Sequence, residues 1–244
     1  MQTAGRSVLK ERLDKILAGA GISSRSDVKK LIRAGRVTVN GFPAQSPDMK
    51  IERGASTVRI DGVAVNTARY RYFMMNKPSG LLSATEDRKQ RTVLDILEGY
   101  ERNMGLFPVG RLDKDTEGLL LLTNDGEFSH RVISPASGIS KVYYARVDGV
   151  PDEEDAEAFS RCLVLADGTQ CLPAVLEPTG SSACFVTVYE GKYHQVKRML
   201  AAVGKPVLSL KRLSIGGLKL PDDLESGRYR ELSEDELCTI FNGN

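Results

Sequence analysis

The sequence contains no tryptophan and has two histidines and four cysteines among its 244 residues. These side chains are scattered, and no C-x-x-C spacing occurs among them. They are His130, His194, Cys162, Cys171, Cys184 and Cys238. Zinc sites and disulfide frameworks need clustered or regularly spaced ligands, so the sequence predicts neither. We interpret the four cysteines as buried free thiols, which pack as small apolar side chains.

Long apolar runs are also absent. No run approaches the roughly 18 apolar residues of a membrane span, and the first residues, MQTAGRSVLKERLDK, contain no apolar core of a secretion signal. The hydrophobic fraction, 41%, is that of an ordinary globular protein. We therefore expect a cytoplasmic protein without a membrane partner, with one large or two smaller domains, and a monomer by default.

The net charge is small, +2, but it is unevenly distributed. Residues 1–41 contain nine Lys or Arg residues and three Asp or Glu residues, so the rest of the chain is mildly acidic. A basic module attached to a mildly acidic body is typical of proteins that bind a polyanion such as a nucleic acid.

The basic module has the pattern of two short helices followed by a hairpin. Apolar residues with helical spacing at Leu13, Ile16 and Leu17 predict the first helix, which ends before Gly21. Ser23 or Ser24 is suited to cap the second helix. Alternating valines then run into an Asn-Gly pair at residues 40–41, which is typical of a tight type I′ turn.

Five basic side chains occur within twelve positions of this module and are expected to face solvent. They are Arg25, Lys29, Lys30, Arg33 and Arg36. Most such runs are simply a charged, solvated helix face, but the density of this one favours contact with nucleic acid. The run from Arg12 to Gly41 resembles the alpha-L RNA-binding domain of ribosomal protein S4, and the resemblance implies that these five residues bind RNA.

Beyond a linker predicted near residues 61–69, strand and helix patterns mix. Strands are predicted in YFMM, GLLLLT, KVYYARV, CFVTVY and VLSLKRLSI, and helices in TVLDILEG, GEFSHRVIS, DEEDAEAFSRCL and HQVKRMLAAVG. We therefore predict an α+β fold with a mainly antiparallel β-sheet. The predicted domains cover residues 9–66 and 70–240.

The segment GRLDKDTEGLLLLTNDG, residues 110–126, places an acidic cluster before four leucines. The leucines end at a turn-forming Asn-Asp-Gly and are too few for a helix, so they predict a strand buried on both faces. Asp113, Asp115 and Glu117 imitate the start of a calcium loop. However, Asn124 stands where that loop needs a bidentate glutamate, so we predict no metal site.

The residues alone leave two functions open for the acidic cluster. One carboxylate could serve as an acid of the kind that glycosidases use. Alternatively, Arg111 and the acids could form only a network of ion pairs in the loop, which is the common fate of such clusters.

Four segments occur in the order typical of one enzyme family. They are NKPSG at residues 76–80, GRLDKDTEGLLLLTNDG at 110–126, KVYYARV at 141–147 and EGKYHQVKRMLAAVG at 190–204. Together they resemble the rRNA pseudouridine synthases that share the GRLD motif, and most of all the type that acts on the small ribosomal subunit. The resemblance covers nearly all of the chain from Arg12 to Leu237 and implies an S4-like domain linked to a pseudouridine synthase domain.

The resemblance assigns roles to four residues. Asp113 matches the catalytic aspartate, and Lys197 matches the basic residue that pairs with it. Tyr143 matches the aromatic residue that stacks on the target base, and Arg111 matches the arginine that holds RNA with the base flipped out. We place His194 outside the catalytic set, because a lone histidine more often packs or forms hydrogen bonds.

Loop architecture is the predicted role of Asn76 and Lys77, with a further contact to RNA.

The resemblance further implies a target and a partner. It implies isomerisation of a uridine in 16S rRNA, at position 516, within a partly assembled small ribosomal subunit, with no cofactor. The alternatives are an enzyme for 23S rRNA of the large subunit and a non-catalytic rRNA-binding assembly factor that has kept the fold. The Tyr-His-Gln-Val-Lys-Arg-Met segment favours the small-subunit type.

Overall fold

The computed structural model describes residues 10–242, which form two compact units. The amino-terminal unit contains the described residues up to Arg71 together with Leu97–Leu106. The larger unit contains Tyr72–Ile96 and the described residues from Phe107 onward. Residue 9, the predicted start of the first domain, lies outside the described residues.

The amino-terminal unit contains two helices and six short strands. These are β1 (Lys10–Arg12), α1 (Leu13–Gly19), α2 (Arg25–Arg33), β2 (Val37–Val39), β3 (Phe42–Pro43), β4 (Lys50–Glu52), β5 (Val58–Ile60) and β6 (Val63–Val65). Strands β3, β2, β5 and β6 form an antiparallel sheet in that order, and β1 pairs with β4. A 3₁₀ helix, Glu101–Asn103, lies in the Leu97–Leu106 segment.

The helices and the hairpin of this unit confirm the sequence prediction. Ser24 caps α2 by accepting a hydrogen bond from the backbone N–H of Asp27 at 3.2 Å. Val28 and Ile32 of α2 belong to the same buried cluster as the apolar face of α1. At the β2–β3 turn Asn40 and Gly41 both have positive φ angles, 52° and 88°, as a type I′ turn requires.

The Leu97–Leu106 segment completes the amino-terminal unit at Gly21. The side-chain amide of Asn103 donates to the carbonyl oxygen of Gly21 at 3.2 Å. A Cβ atom on Gly21 would stand 2.1 Å from the carbonyl oxygen of Tyr100, and Gly21 has a φ of +79°. Only glycine fits this close approach. The contact joins the two separate stretches of the chain that make up the first unit.

The predicted linker at residues 61–69 is wrong in part, because it contains a strand. Strand β6, Val63–Val65, pairs with β5 and completes the four-stranded sheet. Val63 and Ala64 are exposed, so β6 is a short edge strand that is defined by its pairing with β5 and not by apolar burial. The chain passes into the larger unit between Arg71 and Tyr72.

The larger unit contains nine strands and four helices among the described residues. These are β7 (Tyr72–Lys77), β8 (Phe107–Pro108), β9 (Glu117–Thr123), α3 (Gly126–Ile133), β10 (Lys141–Val147), α4 (Glu153–Ser160), β11 (Val175–Ser181), β12 (Ala183–Val188), α5 (Gln195–Ala202), β13 (Val207–Ile215), β14 (Leu218–Lys219), β15 (Tyr229–Glu231) and α6 (Glu234–Thr239). A 3₁₀ helix, Pro135–Ser137, precedes β10.

One nine-stranded sheet organises the larger unit. Its main order is β11, β12, β10, β13, β9, β7 and β15, with β14 added to β13 and β8 added to β9. Every pairing is antiparallel except that of β13 with β9. The predicted α+β class with a mainly antiparallel sheet is therefore confirmed.

Strand β9 is buried on both faces, as the four leucines predicted. Leu119, Leu120, Leu121 and Leu122 are each at most 1% exposed. Leu119 and Leu121 pack in a core with Val132 and Ile215, whereas Leu120 and Leu122 point to the opposite face. The loop that precedes β9 is thus attached to the most deeply buried strand of the sheet.

Two sequence predictions are wrong. Residues 92–99 form turns instead of a helix. The Asp95 carboxylate accepts from the backbone N–H and hydroxyl of Thr92 at 2.7 and 3.2 Å. The backbone N–H of Val93 donates to the carbonyl oxygen of Leu82 instead of to a helical partner.

The prediction that all four cysteines are buried is also wrong. All four are free thiols, but Cys162 and Cys238 are exposed.

The helices of the described residues are short. The longest, α2, contains nine residues. No helix between residues 10 and 242 is long and apolar enough to cross a membrane.

Gly118 at the start of β9 is a sensitive point of the sheet. It has a φ of +98°, and a Cβ atom would lie 2.2 Å from the carbonyl oxygen of Arg212 on β13. We predict that Gly118→Ala lowers the free energy of unfolding by about 3 kcal/mol, because it adds backbone strain and an unavoidable clash. Urea denaturation measures the loss.

Gly126→Ala is the matched control, since a Cβ atom there meets nothing within 4 Å and the φ angle is ordinary. Gly126 begins α3, so alanine should leave stability unchanged or raise it slightly. Equal denaturation midpoints for the two variants would contradict the prediction.

Candidate active site

A cavity of about 770 Å³ opens in the larger unit. Its walls come from the loop before β9, from β10 and β13, and from the turn that leads into α5. The cavity is lined by Arg111, Asp113, Tyr143 and Lys197, so the four predicted site residues of this unit share one wall surface.

The loop that carries Asp113 is fixed by a buried lysine. Lys77 is fully buried at the end of β7. Its ammonium group donates to the carbonyl oxygens of Pro78, Lys114 and Thr116 at 3.1, 3.1 and 2.8 Å. Burial lowers the pKa of Lys77 to about 8. The three carbonyl acceptors satisfy its three donors and join the end of β7 to the loop.

Ser83 holds the same loop from another side. Its hydroxyl donates to the carbonyl oxygen of Leu112 at 2.8 Å, and the N–H of Leu112 lies 3.0 Å from that hydroxyl. The prediction that Asn76 and Lys77 lie in a loop is wrong, because both are buried residues of β7. Asn76 donates to the carbonyl oxygen of Leu224 at 2.7 Å.

Asp113 contacts two cationic or potentially cationic side chains. The ammonium nitrogen of Lys197 lies 3.0 Å from its Oδ2, and Nε2 of His194 lies 3.3 Å from its Oδ1. Lys197 also bonds Oδ1 of Asp115 at 2.6 Å. Lys197 therefore bridges the two carboxylates, of which only Asp113 has a catalytic role predicted from the sequence.

The charge state of this group follows from its contacts. Burial by itself would lower the pKa of Lys197, but hydrogen bonds from its ammonium group to Asp115 and Asp113 outweigh burial and raise the pKa. The hydrogen bond from Lys197 lowers the pKa of Asp115. At neutral pH Lys197 is thus a cation, and the Asp115 carboxylate beside it is ionised.

His194 is a neighbour of Asp113 that the sequence analysis set aside. Its backbone is left-handed, with φ 49° and ψ 33°, immediately before α5. Its ring stacks on that of Tyr193 with centroids 3.8 Å apart. A left-handed residue that is not glycine is uncommon and often marks a functional site. The available sequence signal was the His-Gln pair at the start of the helix, which hydrophobic periodicity does not explain.

The segment before α5 is held by a buried carboxylate. Glu190 is 5% exposed and accepts a hydrogen bond from the amide of Gln195 at 2.9 Å. Oε1 of Gln195 accepts from the N–H of Lys192 at 3.0 Å. These bonds close the turn that carries His194. This turn leads directly into α5, the helix that contains Lys197.

The choice between Tyr143 and Tyr144 follows from strand alternation. Tyr143 lines the cavity, whereas Tyr144 stacks against Phe185 with ring centroids 5.4 Å apart. The guanidinium group of Arg212 lies beside Tyr143, with Nη1 3.4 Å from its hydroxyl oxygen. Sequence reasoning missed Arg212. It shares a strand face with buried Leu210, and that alternation was the available signal.

Arg111 is exposed and lines the cavity. Within residues 10–242 it forms no ion pair with Asp115 or Glu117. Asp115 instead pairs with Lys197. The alternative in which Arg111 serves only a network of loop ion pairs is therefore not supported by the structure.

The five basic residues predicted to bind RNA lie in the amino-terminal unit. Three of them form ion pairs there: Arg25 with buried Asp14 at 3.2 Å, Lys30 with Asp27 at 2.9 Å, and Arg36 with Asp61. Hydrogen bonds from Arg12 and Arg25 hold the pKa of Asp14 far below its usual value.

Lys29 and Arg33 have no ion pair among the described residues. Arg33 is exposed and Lys29 is half-buried on the same helix. No group of three or more His, Cys, Asp and Glu side chains within the described ranges could hold a metal ion.

Two family models match the chain, one in each unit. The family model of the RNA pseudouridylate synthases matches residues 71–202, and that of the S4 domain matches residues 11–56. The larger unit is thus of a class of enzymes that isomerise uridine in RNA, and the amino-terminal unit is an S4 RNA-binding domain. The chain belongs to the family of rRNA pseudouridine synthases that combine these two parts.

Similar proteins include enzymes of both ribosomal subunits. The uncharacterized RNA pseudouridine synthase YtzG of Bacillus subtilis is 44% identical over 93% of this chain and 96% of its own. The ribosomal small subunit pseudouridine synthase A of Vibrio cholerae is 40% identical, with 94% and 99% covered. The ribosomal large subunit pseudouridine synthase B of Bacillus subtilis is 36% identical, with 93% and 94% covered.

A solved structure supports the fold. A crystal structure of a pseudouridylate synthase matches with a TM-score of 0.67 and 34% identity. The match covers 94% of this chain and 99% of that one.

Lys197 generates a testable prediction about the carboxylates it bridges. We predict that Lys197→Met lowers kcat for pseudouridine formation at least tenfold, because Asp113 and Asp115 lose their shared cation and repel each other. Single-turnover tritium release from RNA labelled at uracil C5 measures the rate.

Lys205→Met is the matched control. Lys205 is 20% exposed and pairs with Asp155 at 3.3 Å, so it matches Lys197, which is 21% exposed and also ion-paired. Unlike Lys197, Lys205 does not line the cavity. The control should keep the wild-type rate. An equal loss in both variants would show that ion pairing supports the fold alone.

Proposed function

We propose that this enzyme isomerises a uridine of 16S rRNA, at position 516, with Asp113 as the catalytic carboxylate. The observation that carries the assignment is the contact of Asp113 with Lys197 at 3.0 Å on the wall of the cavity. The carboxylate is 25% exposed, so substrate can reach it. Its cation partner Lys197 lies beside it next to the buried strand β9.

The reaction requires no change of oxidation state. The bond between ribose C1′ and uracil N1 breaks, the base turns, and a bond between C1′ and C5 replaces it while the C5 proton is released. Asp113 acts either as a nucleophile at C1′ or as a base at C2′. Both routes need an ionised carboxylate within reach of the ribose.

A uridine in folded RNA must leave its stack to reach Asp113, at a cost of a few kcal/mol. Tyr143 supplies an aromatic face on the cavity wall on which the flipped base can stack. Arg111 is exposed at the same wall, where its guanidinium can hold the phosphate backbone of the opened RNA. His194 contacts Asp113 and is suited to orient that carboxylate.

The choice of the small subunit rests on the Tyr-His-Gln-Val-Lys-Arg-Met segment, residues 193–199, and on similarity to small-subunit enzymes. The large subunit is the second candidate, because a large-subunit enzyme is also similar over nearly the whole chain.

Either rRNA target places the activity in the cytoplasm. The partner is 16S rRNA in a partly assembled small subunit, and the enzyme acts as a monomer.

Tritium release from RNA labelled at uracil C5 tests the proposal. Three substrates are compared: small-subunit particles that lack the modification, free 16S rRNA and 23S rRNA. We predict release from the small-subunit substrates, with one tritium per molecule. Release only from 23S rRNA would contradict the proposed target and support the second candidate.

Asp113→Asn separates chemistry from binding in the same assay. The amide keeps the shape of the side chain but cannot act as a nucleophile or base, so tritium release should be abolished. RNA affinity should stay nearly unchanged. Asp115→Asn is the matched control and should retain turnover, and the opposite result would assign the reaction to Asp115.

Salt dependence tests RNA binding by the S4 domain. Lys29 and Arg33 have no acidic partner among the described residues, so each can neutralise one phosphate. The slope of log affinity against log salt should become shallower by about 1.4 to 1.8 in the double variant Lys29→Gln/Arg33→Gln. Lys50→Gln/Arg59→Gln removes the same charge from other exposed positions of the unit and should change the slope less.

A further inference from the structure

Two buried cations lie on the cavity wall without an acidic partner. Lys141, at the start of β10, is 7% exposed, and Arg212, on β13, is 5% exposed. Both line the cavity that contains Asp113 and Tyr143. Within the described part of the chain neither forms an ion pair. Burial of an unpaired charge is costly, so two such charges in one cavity require a physical cause.

Their hydrogen bonds leave donors unused. Arg212 donates from Nε to the carbonyl oxygen of Leu119 at 2.7 Å and from Nη1 to the Tyr143 hydroxyl at 3.4 Å. Its buried Nη2 has no hydrogen-bond partner among residues 10–242. The ammonium group of Lys141 donates to the carbonyl oxygen of Ile139 at 2.7 Å, which uses one of its three donors.

The two charges also oppose each other. Burial lowers the pKa of Lys141 to about 8, and the positive charge of Arg212 acts in the same direction. The strand neighbours of Lys141 are the apolar residues Val188 and Ile215. Other charged or titratable side chains on the cavity wall are Arg111, Asp113, Lys114, Tyr143, Glu190, Lys192, Tyr193, His194 and Lys197. A bound anion would relieve the repulsion between Lys141 and Arg212.

The isomerisation itself produces an anion in this cavity. When the C1′–N1 bond breaks, its electron pair stays on N1, and the uracil leaves the sugar as an anion. Resonance spreads the charge over O2, O4 and C5. The C5 atom then forms the new bond to C1′, loses its proton, and N1 takes up a proton. The detached uracil anion is the same in both routes, whereas the sugar is bonded to Asp113 if the carboxylate attacks C1′ and has a C1′–C2′ double bond if it removes the C2′ proton.

We propose that Lys141 and Arg212 form a cationic site that stabilises the detached uracil anion by donating hydrogen bonds to its carbonyl oxygens. The inference rests on the proposed roles of Asp113 and Tyr143. Arg212 contacts Tyr143, the residue on which the base is proposed to stack. Donors fixed in a buried site stabilise developing charge without reorganisation, so they lower the barrier more than donors in water do.

Lys141→Met tests the site, because methionine has a similar length and no charge. We expect kcat to fall about 100-fold, the loss typical of removing one fixed donor to developing charge. KM and RNA affinity should not change. The thermal midpoint should stay the same or rise, since the variant removes an unpaired buried charge. Arg146→Gln, an exposed arginine on the same strand, is the matched control and should behave as wild type.

Lys141→Arg provides the second variant, because its cation persists at higher pH. In the wild type, kcat/KM reports ionisations of the free enzyme and should fall as the pH rises past about 8, where the Lys141 amine loses its proton. In Lys141→Arg that fall should be smaller than in the wild type, because only the contribution of Lys77, whose pKa is also about 8, remains, and activity below pH 8 should exceed that of Lys141→Met. Arg146→Gln should keep the wild-type profile.

Three outcomes would overturn the inference. An unchanged kcat in Lys141→Met would show that the cation does not act in the reaction. Weaker RNA binding with unchanged kcat would identify a contact to an RNA phosphate. A lower thermal midpoint in both Lys141 variants, with equal loss of rate, would identify a purely structural lysine. A wild-type enzyme inactive on every rRNA would instead contradict the proposed function.

Discussion

The geometry of the site depends on a buried ammonium group that has to be satisfied by carbonyl oxygens. Lys77 reaches from the end of β7 to three backbone carbonyls, two of them in the loop that carries Asp113. An unsatisfied donor at this depth would cost more than the hydrogen bonds return. The loop can therefore adopt few other conformations while the sheet is intact. In the proposed reaction, a carboxylate fixed in this way needs no ordering before it meets the substrate, and rigid support of this kind contributes to catalysis.

Local patterns predicted most of the fold, because most elements are governed by local rules. The Ser24 cap, the Asn40-Gly41 turn and the four leucines of β9 each determine structure over a few residues. The helix predicted at residues 92–99 was wrong for the converse reason. The side chain of Asp95 and the backbone of Leu82 compete for the groups that a helix would use, and the second of these is a tertiary contact that no periodicity contains.

The site was predictable only where a motif carried the information. Asp113 and Lys197 are 84 positions apart, and nothing in composition or spacing joins them. Their contact was expected from family resemblance and is present at 3.0 Å. The contact of His194 with Asp113 was not anticipated, because it depends on a left-handed backbone conformation that the sequence pattern does not show. Arg212 was overlooked because a single arginine in a strand gives no sign of burial unless strand alternation is considered together with the apolar face. Electrostatic function thus lies in the tertiary structure.

The discontinuous amino-terminal unit has a consequence for how such proteins can be rearranged. Residues 97–106 belong to the S4 unit, although the catalytic unit begins at Tyr72. A genetic crossover near residue 71 would transfer an S4 domain without the stretch that packs at Gly21, and would leave that stretch behind in a protein with no surface to cover. Exchange of the RNA-binding domain of this chain therefore has to include residues 97–106 together with the amino-terminal segment.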